Sequence, residues 1–464
     1  MLVNDTIAAI ATGMGNAGVG IIRISGKNAV EVASKVFRPV NEEKKIESMK
    51  SYTAAFGQVY DGDKELDEGI LLLMRAPHTY TCEDVCELQC HGGMVVLRNV
   101  LAAVIKNGAR LAEPGEFTKR AFLNGRIDLS QAEAVMDLID SKNEMARKNS
   151  MTQLKGGLSD RIKQLREEII YQIAFIESAL DDPEHYSLDG FPEKLLEEDK
   201  KWITIAKEML DSYDNGRIIA EGIRTCIVGK PNAGKSSFLN ALLGEERAIV
   251  TDIAGTTRDT LEESVTIDGI TLNIVDTAGI RDTEDKVESI GVERAKKEIE
   301  SADLILFLMD TSVQISEEDI EILQRIRDKK KIILLNKSDK ATEESGFEQS
   351  ALKEYISEET PVISISAKYG DGIDNFIMEL KNMMFHGRID VNQEVYITNA
   401  RHKDALAKTY ESLECVERSI EAGMPEDFFT IDLMNAYEKL GLIIGESVEE
   451  DLVNEIFSKF CTGK

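Results

Sequence analysis

Residues 229–236 read Gly-Lys-Pro-Asn-Ala-Gly-Lys-Ser and directly follow the apolar run Ile-Arg-Thr-Cys-Ile-Val at 223–228. A G-x-x-x-x-G-K-S loop where a strand turns into a helix is a phosphate cradle, because its glycines let consecutive backbone N–H groups converge on a β-phosphate. The Lys235 ammonium reaches the β and γ oxygens, and the Ser236 hydroxyl is a ligand for Mg²⁺. The loop predicts an α/β P-loop domain that binds a nucleoside triphosphate. Its predicted nucleotide contacts are Asn232, Ala233, Gly234, Lys235, Ser236 and Ser237.

A second motif specifies the base. Asn336-Lys337-Ser338-Asp339 follows the buried-strand pattern at 331–335. The Asp339 carboxylate can accept from the N1–H and N2–H₂ groups of guanine together, so it selects guanine over adenine. We expect Asn336 on the N7 side, the Lys337 stem along the ring, and a backbone N–H of Ser366-Ala367-Lys368 at O6. An isolated N-K-S-D is usually a surface turn, but its order and spacing behind a P-loop favour a guanine site.

A third motif, Asp276-Thr277-Ala278-Gly279, follows the strand pattern at 271–275. We expect Asp276 to hold Mg²⁺ through water and the Gly279 N–H to sense the γ-phosphate. Together these motifs resemble the translation-factor branch of P-loop GTPases. Ile280 stands where Ras-like proteins carry the glutamine that orients the attacking water, so another group must position that water.

A fourth segment, residues 251–259, reads Thr-Asp-Ile-Ala-Gly-Thr-Thr-Arg-Asp and is rich in carbonyl and hydroxyl oxygens. Our hypothesis is that oxygens of this segment and of Asn232 surround a monovalent cation where an arginine finger would act, while Thr257 binds Mg²⁺. The alternative for Asn232 is a turn residue that bonds its own backbone. The predicted nucleotide contacts here are Thr251, Asp252, Ile253, Ala254, Gly255, Thr256 and Thr257.

Composition limits the class of protein. With 464 residues, 42% of them hydrophobic, the chain has room for about two to four domains with sizeable cores. No apolar run approaches the roughly 20 residues of a membrane span, the start of the chain lacks a basic signal region, and six cysteines show no disulfide framework. We therefore expect a cytoplasmic protein. Its net charge of −29 opposes broad adhesion to a polyanion, so contact with RNA needs a local basic patch or a partner's surface.

The hydrophobic pattern divides the chain around the GTPase motifs. Short strands and turns over residues 1–118 predict an α+β domain, and helical spacing over 119–217 and 382–464 predicts helices. The economical arrangement is one discontinuous all-α domain into which a Ras-like P-loop G domain, residues 218–381, is inserted. A conformational change driven by the nucleotide would then be transmitted from the G domain to the chain segments on both sides of it.

A cysteine-rich segment lies in the first of these domains. Residues 79–93 read Thr-Tyr-Thr-Cys-Glu-Asp-Val-Cys-Glu-Leu-Gln-Cys-His-Gly-Gly. Three cysteines beside a histidine suggest a metal site. Strand alternation instead puts Cys86, Leu88 and Cys90 on one face and His91 on the other, so we interpret the thiols as core residues.

The chain as a whole resembles the bacterial tRNA-modification GTPase family MnmE, also named TrmE, over almost all 464 residues. The resemblance implies GTP hydrolysis that depends on K⁺ and on pairing of G domains. The implied K⁺ ligands are Asn232, Thr251, Ile253 and Thr256. It also implies that Glu288 orients the attacking water and that Arg281 belongs to switch II. The alternative for Glu288 is a solvated helix carboxylate.

The amino-terminal segment resembles the family's E-D-V-x-E…H-G-G motif, in a domain that binds a formyl-tetrahydrofolate and pairs two chains. The resemblance implies folate contacts at Arg23, Glu87, Arg126 and Lys464. A carboxylate suits the 2-amino edge of a pteridine, and arginines suit folate carboxylates. Cys82 stands where the family usually has glycine, which puts the local turn in question.

The chain ends in Phe460-Cys-Thr-Gly-Lys464, which matches the family's C-x-G-K terminus. Chain ends are normally frayed, and a lone terminal thiol usually has no role. A thiolate is nevertheless a strong nucleophile. We expect Cys461 to be essential for the modification and not for GTP hydrolysis.

The resemblance implies a potassium-stimulated GTPase that forms a homodimer and, in a heterotetramer with the flavin-dependent (FAD) partner MnmG or GidA, modifies tRNA. The product carries an aminomethyl or carboxymethylaminomethyl group at C5 of the wobble uridine, and formyl- or methylene-tetrahydrofolate supplies the one-carbon unit. The alternative is a regulatory ribosome-assembly GTPase such as Era or EngA, which lacks both flanking motifs. An ATP-driven structural protein is disfavoured by Asp339.

Overall fold

The computed structural model describes residues 5–244, 248–251, 262–276, 297–341, 346–357, 359–385, 396–446, 450–461 and 463. The chain divides into two compact units. Unit 1 comprises residues 1–136, 152–200 and 408–464, and unit 2 comprises residues 137–151 and 201–407. In the described part of the chain, none of the helices has the length and apolarity that a bilayer span requires.

Unit 1 contains a seven-stranded sheet. Its strands are β1 Ile7–Ile10, β2 Ala17–Ser25, β3 Phe37–Pro39, β4 Thr53–Asp61, β5 Lys64–Met74, β6 Val85–Gly92 and β7 Arg110–Leu111. The strand order is β3-β4-β5-β6-β2-β1-β7, with β1 and β7 parallel and the other neighbours antiparallel. Because side chains alternate along a strand, each strand offers one face to the core and one to the other side.

One face of this sheet is the core of the α+β fold. It packs against helices α1 Ala29–Val36 and α2 Met94–Lys106. Its buried side chains include Ile22, Ile24, Leu71, Leu73, Cys86, Leu88 and Cys90. Arg23 and Glu87 alternate with these residues and therefore belong to the opposite face, as do Phe56 and Ile70, which are 55% and 40% exposed.

The remaining helices of unit 1 come from both ends of the chain. They include α3 Glu116–Leu123, α6 Gly157–Asp181, α13 Glu426–Ile444 and α14 Glu450–Ser458. Arg166 of α6 lies 4.1 Å from the ring centroid of Tyr437 on α13 and forms an ion pair with Glu446. Helices from before and after the GTPase motifs therefore pack together, which agrees with a discontinuous helical domain.

Four helices extend across the division between the two units. These are α4 Leu129–Ile139, α5 Glu144–Leu154, α7 Phe191–Glu221 and α12 Ala400–Glu421. The proposed domain boundaries at 118, 217 and 381 stay predictions.

Unit 2 contains the second sheet. Its strands are β8 Ile223–Val228, β9 Ala248–Thr251, β10 Glu262–Ile267, β11 Ile270–Asp276, β12 Leu304–Asp310, β13 Lys331–Asn336 and β14 Val362–Ser364. Their order is β14-β13-β12-β8-β11-β10-β9. The first five strands in this order are parallel, and β10 and β9 are antiparallel additions. Described helical segments are α8 Lys235–Gly244, α9 at 297–301, α10 Glu317–Arg325 and α11 Ile373–Phe385.

The parallel strands are continuous apolar runs because helices cover both faces of such a sheet. Every residue of β13 is buried, and so are the first six residues of β12. The carboxyl ends of parallel strands meet at one edge, which is where open α/β sheets bind ligands. The predicted motifs follow β8, β11, β13 and β14 at that edge, so the P-loop α/β fold class is confirmed.

Candidate functional sites

The P-loop joins β8, which ends at Val228, to α8, which begins at Lys235. Asn232 and Gly234 have φ angles of 63° and 100°, in the left-handed region. A side chain at 234 would overlap the Asn336 amide, so glycine is required there for space as well as for conformation. The Asn232 side chain is exposed. The loop therefore presents its backbone and the start of α8 at the ligand edge of the sheet.

The Lys235 ammonium is held over this loop. Its Nζ donates to the carbonyl oxygens of Gly229 at 2.6 Å and of Lys230 at 3.0 Å. The side chain stands at the amino terminus of α8, where the helix dipole and the first N–H groups favour an anion. The arrangement suits a phosphate chain, with Lys235 as its counter-charge.

Asn336 connects the P-loop with the two base-recognition motifs. It is 2% exposed, its Nδ2 donates to the Ala233 carbonyl at 2.7 Å, and its Oδ1 accepts from the Ala367 N–H at 3.0 Å. The side chain thus fixes Ala367, the residue expected near O6 of guanine, relative to the P-loop. Direct contact of Asn336 with N7 stays a prediction.

Asp339 is exposed at the same edge, and its Oδ1 accepts from the Ser366 hydroxyl at 2.7 Å. Lys337 has a φ of 63° and forms an ion pair with Asp310, a residue that sequence reasoning missed. Burial alone would raise the pKa of Asp310, but hydrogen bonds from Lys337 and Ser312 outweigh it and lower the pKa. The N-K-S-D and S-A-K segments therefore form one site with oriented charges. Asp310 ends β12, a position that could have signalled its role.

Two residues of types that suit Mg²⁺ stand at element ends on this edge. Ser236 is the second residue of α8 and is exposed, and Asp276 ends β11, paired in register with Ile227 of β8. Hydroxyl and carboxylate oxygens are the donors that Mg²⁺ prefers, so these residues fit the ion. Ser237 and Lys368 are also exposed, and Ser338 is half-buried.

Several predicted residues lie outside the described part of the chain. These are Asp252, Ile253, Ala254, Gly255, Thr256, Thr257, Thr277, Ala278, Gly279, Ile280, Arg281, Glu288 and Lys464. Thr251 is described as the last residue of β9. The cation and water-orienting hypotheses stay predictions.

In unit 1, two of the predicted folate residues are direct neighbours on adjacent strands of the sheet. Arg23 on β2 and Glu87 on β6 are directly paired in register, and the Arg23 Nε donates to the Glu87 Oε1 at 2.9 Å. Their side chains are 18% and 13% exposed. Burial in a sheet face strengthens this pair while leaving part of each group open to a ligand.

The two predicted folate arginines, Arg23 and Arg126, both contact the ring of Tyr80. The guanidinium of Arg23 lies 5.3 Å from the Tyr80 ring centroid, and that of Arg126 lies 4.6 Å from it. The Arg23 guanidinium also lies 5.6 Å from the ring centroid of Phe117. The Tyr80 hydroxyl shares a 2.8 Å hydrogen bond with the Thr118 hydroxyl. The structure therefore brings Arg23, Glu87 and Arg126 together around Tyr80. Sequence reasoning missed Tyr80 because an aromatic residue in a loop carries no periodic signal.

Arg120 fixes the loop that carries Tyr80. It is 3% exposed, donates to both oxygens of Glu83, and also bonds Asp5 and Glu116. Ser25 donates to Glu83 at 2.7 Å. Burial would lower the pKa of Arg120, but its carboxylate partners raise it, so the guanidinium keeps its charge. The network was not visible in the sequence because Asp5 and Glu83 are far from Arg120 along the chain, and only Glu116 lies one helical turn before it.

The carboxy-terminal segment is anchored beside this cluster. Phe460 is 6% exposed, the Gly115 N–H donates to the Cys461 carbonyl at 3.3 Å, and Arg23 Nη1 donates to the Gly463 carbonyl at 3.4 Å. Gly463 has a φ of 100° and is packed against Ile10, whereas the Cys461 side chain is exposed. The backbone of Cys461 is thus held by Gly115, and Gly463 lies beside Arg23.

The cysteine-rich strand agrees with the core interpretation. Cys86 and Cys90 are 0% and 3% exposed, and burial, with smaller contributions from Asp84 and Asp67, raises the pKa of both thiols to about 12. Cys82 has a φ of 60°, a left-handed conformation that glycine adopts more readily. The turn is therefore retained despite the cysteine, at a cost of about 1–2 kcal/mol.

Comparison with known proteins identifies the family of the chain. A family model described as the MnmE helical domain matches residues 129–461, and one described as GTP-binding protein TrmE N-terminus matches residues 6–126. The chain is 54% identical over 460 residues to tRNA modification GTPase MnmE of Lachnoclostridium phytofermentans, with 99% of each chain covered. It is 47% identical over 468 residues to the protein of that name from Clostridioides difficile, with 100% of each covered.

A solved structure of Era from Aquifex aeolicus, bound to GDP and AlF₄⁻, is 29% identical over 41% of this chain and 66% of that chain. Its TM-score of 0.28 is too low to add to the assignment. The full-length relatives and the two family models are sufficient: the chain belongs to the MnmE (TrmE) family of tRNA modification GTPases.

Proposed function

We propose that this chain hydrolyses GTP and, with a flavin-dependent partner of the MnmG (GidA) type, adds an aminomethyl or carboxymethylaminomethyl group to C5 of the wobble uridine of certain tRNAs. The observation that carries the proposal is the presence of two sites in one chain. A phosphate cradle joined to Asp339 suits GTP, and the cluster around Tyr80 suits a folate. A GTPase switch without covalent chemistry has no use for the second site.

In the nucleotide site, each described residue has a separate task. The P-loop backbone and the start of α8 bind the phosphates, Lys235 neutralises their charge, and Asp339 selects guanine. Ser236, Thr257 and, through water, Asp276 would hold Mg²⁺. Mg²⁺ and K⁺, when bound, stabilise negative charge on the transferring phosphoryl group.

K⁺ stimulation rests on Asn232 and the switch I oxygens of Thr251, Ile253 and Thr256. Asn232 supports it because the residue is exposed on the P-loop, at the ligand edge of the sheet. Glu288 orients the attacking water in place of the missing glutamine.

In the folate site, Glu87 would accept from the 2-amino edge of the pteridine, and Arg23, Arg126 and Lys464 would bind the carboxylates. A tetrahydrofolate derivative, methylene-tetrahydrofolate at work, supplies the one-carbon unit. Cys461 acts in the modification and not in hydrolysis. Its exposure and the anchoring of Gly463 beside Arg23 support this assignment.

A homodimer through the amino-terminal domains is supported by the open face of the first sheet. Phe56 and Ile70 are directly paired in register and exposed on that face, the same face that holds Arg23 and Glu87. An exposed apolar sheet face of this kind favours a protein contact. Covering it with a second copy would enclose the folate cluster.

The proposal also covers how the chain assembles with its partner protein and how it contacts tRNA. The dimer assembles with its FAD-dependent partner as a heterotetramer in the cytoplasm. A net charge of −29 favours tRNA contact mainly through the partner or a local basic patch. The domain limits proposed are 1–118, 119–217 with 382–464, and an inserted G domain at 218–381.

Mass spectrometry of wobble uridines in tRNA from a deletion strain tests the function. We expect the C5-modified uridines to disappear, to return with the wild-type chain, and not to return with Cys461→Ser. Purified Cys461→Ser protein should hydrolyse GTP at the wild-type rate. Unchanged uridines in the deletion strain would favour the ribosome-assembly switch instead.

A further inference from the structure

We propose that Lys230, the second residue of the P-loop, is a positioning residue that holds the loop ready for guanine nucleotide through an ion pair with Asp319. The inference rests on the GTP hydrolysis of the proposed function and adds a residue that the P-loop pattern leaves unspecified. In G-x-x-x-x-G-K-S, position 230 is one of the four positions that any residue can fill.

The ion pair is short and nearly dry. Lys230 Nζ lies 2.6 Å from Asp319 Oδ2, and the two side chains are 17% and 3% exposed. Nζ also donates to the Ser316 hydroxyl at 3.0 Å, and that hydroxyl donates to the same Asp319 oxygen at 2.9 Å. The three groups form a closed set of hydrogen bonds. Removing one partner of a pair with this geometry and burial is costly, because it leaves the other charge buried and unpaired.

Asp319 is itself fixed. It is the third residue of α10 and forms a capping box with Ser316, whose backbone N–H donates to Oδ2 at 2.9 Å. Leu323 of α10 is fully buried in a core that includes Cys226 and Val228 of β8. The anchor for Lys230 therefore lies on a helix packed against the strand from which the P-loop leaves.

The backbone of Lys230 connects this anchor with the catalytic machinery. Its carbonyl accepts from Lys235 Nζ at 3.0 Å and from the Ala233 N–H at 3.2 Å. Fixing the side chain of Lys230 thus fixes a carbonyl that supports both the loop and Lys235. Because a preorganised loop loses less entropy on binding, the ion pair should improve nucleotide affinity.

Removing the Lys230 charge has a predictable consequence. Asp319 Oδ1 has no hydrogen-bond partner among the described residues, so the carboxylate depends on contacts at Oδ2. Without its cation, the buried carboxylate would be uncompensated. Residue 230 would no longer be tied to α10, and the P-loop would loosen.

The test measures nucleotide binding and steady-state hydrolysis with the full chain. We expect Lys230→Met to raise the Kd for a fluorescent GDP derivative and the KM for GTP about tenfold, with kcat changed less than about twofold. The P-loop binds the nucleotide equally in the ground state and in the transition state. Loosening the loop should therefore change Kd and KM more than kcat. Lys230→Arg should restore affinity to within about threefold of wild type, because a guanidinium can bond both partners.

Asp319→Asn should resemble Lys230→Met, and the double variant should bind no more weakly than either single variant, because both remove one interaction. Lys353→Met, which replaces an exposed lysine of the same unit, is the matched control. Lys230→Gln, which keeps a donor for Ser316, replaces Lys230→Met if that variant does not fold.

A purely structural role would lower the fraction of folded, binding-competent protein and leave the Kd of that fraction unchanged, and this result would overturn the inference. Wild-type affinity in a folded Lys230→Met protein would overturn it as well. Failure of the wild-type chain to bind guanine nucleotide would overturn the proposed function first, and this inference with it.

Discussion

The nucleotide site and the cluster around Tyr80, which we propose as a folate site, are built in opposite ways. The nucleotide residues come in short runs that follow β8, β11, β13 and β14, four parallel strands of one sheet. The residues of the Tyr80 cluster lie within antiparallel strands of another sheet and in the loops beside them, and the contact between Arg23 and Gly463 joins positions 440 residues apart.

The difference shows which kind of site a sequence can display. In a parallel sheet, all strand ends meet at one edge, so a motif after a strand is already placed by its position in the chain. In an antiparallel sheet, two mid-strand residues meet only if the register pairs them. Arg23 and Glu87 meet because β2 and β6 pair in that register.

The largest expected effect tests the nucleotide site. Replacing KCl by NaCl at equal ionic strength should lower kcat for GTP by about 10³-fold, because a correctly placed cation replaces an arginine finger. The measurement is phosphate release at saturating GTP in each salt. Folate binding should be the same in both salts, which serves as the control. Equal hydrolysis rates would remove the cation hypothesis.

The next effect concerns the base. Asp339→Asn should weaken GTP binding about 100-fold, because an amide cannot replace two charge-assisted hydrogen bonds from guanine. Xanthosine triphosphate, which carries an oxygen in place of the 2-amino group, should bind the variant better than it binds wild type. Competition against a fluorescent GDP derivative measures both affinities.

Asp328→Asn, at an exposed position in the same unit, is the control for this substitution. An Asp339→Asn protein with wild-type GTP affinity would show that guanine is recognised elsewhere.

A smaller effect is expected in the folate cluster. Tyr80→Leu should weaken binding of formyl-tetrahydrofolate about tenfold, because the ring lies 5.3 Å from Arg23 and 4.6 Å from Arg126 and holds both guanidinium groups. Calorimetric titration measures the Kd, and GTP affinity should not change.

Tyr60→Leu provides a matched control, since Arg38 lies 4.1 Å from the Tyr60 ring centroid outside the cluster. If Tyr80→Leu and Tyr60→Leu bound folate equally well, Tyr80 would have no positioning role.

The smallest effect tests the carboxy-terminal segment. Gly463→Ala should weaken folate binding and lower the modified fraction of tRNA about fivefold, because a side chain at 463 would overlap the Ile10 carbonyl at a φ of 100°. GTP hydrolysis should be unaffected. Gly423→Ala, with a φ of 63° and open space around it, is the control. Normal modification in the Gly463→Ala protein would contradict the anchoring of the tail.

Much of the first site could be predicted from the sequence. Lys235, Asp339 and Ala367 occupy the edge that their motifs predict, because each follows a buried parallel strand. The sequence did not indicate the side-chain bonds between motifs. Asn336, expected at the base, bonds the P-loop and Ala367, and Asp310 holds Lys337.

Only family resemblance grouped Arg23, Glu87 and Arg126, and their binding of folate stays a prediction. In the sequence, Arg23, Glu87 and Arg126 look like ordinary charged surface residues. No regular spacing relates their positions along the chain. Tyr80 had no signal, and Arg120 had only its i,i+4 pairing with Glu116, because their other neighbours come from distant parts of the chain.

The sequence by itself determined the phosphate cradle, the preference for guanine and the division into strand-rich and helical segments, because these depend on local spacing and hydrophobic period. Only the tertiary structure decided that Arg23 pairs with Glu87, that Tyr80 contacts two arginines, that Gly463 lies beside Arg23, and that Lys230 pairs with Asp319. The physical reason is that strand register and helix packing bring these side chains together, and both depend on the whole core.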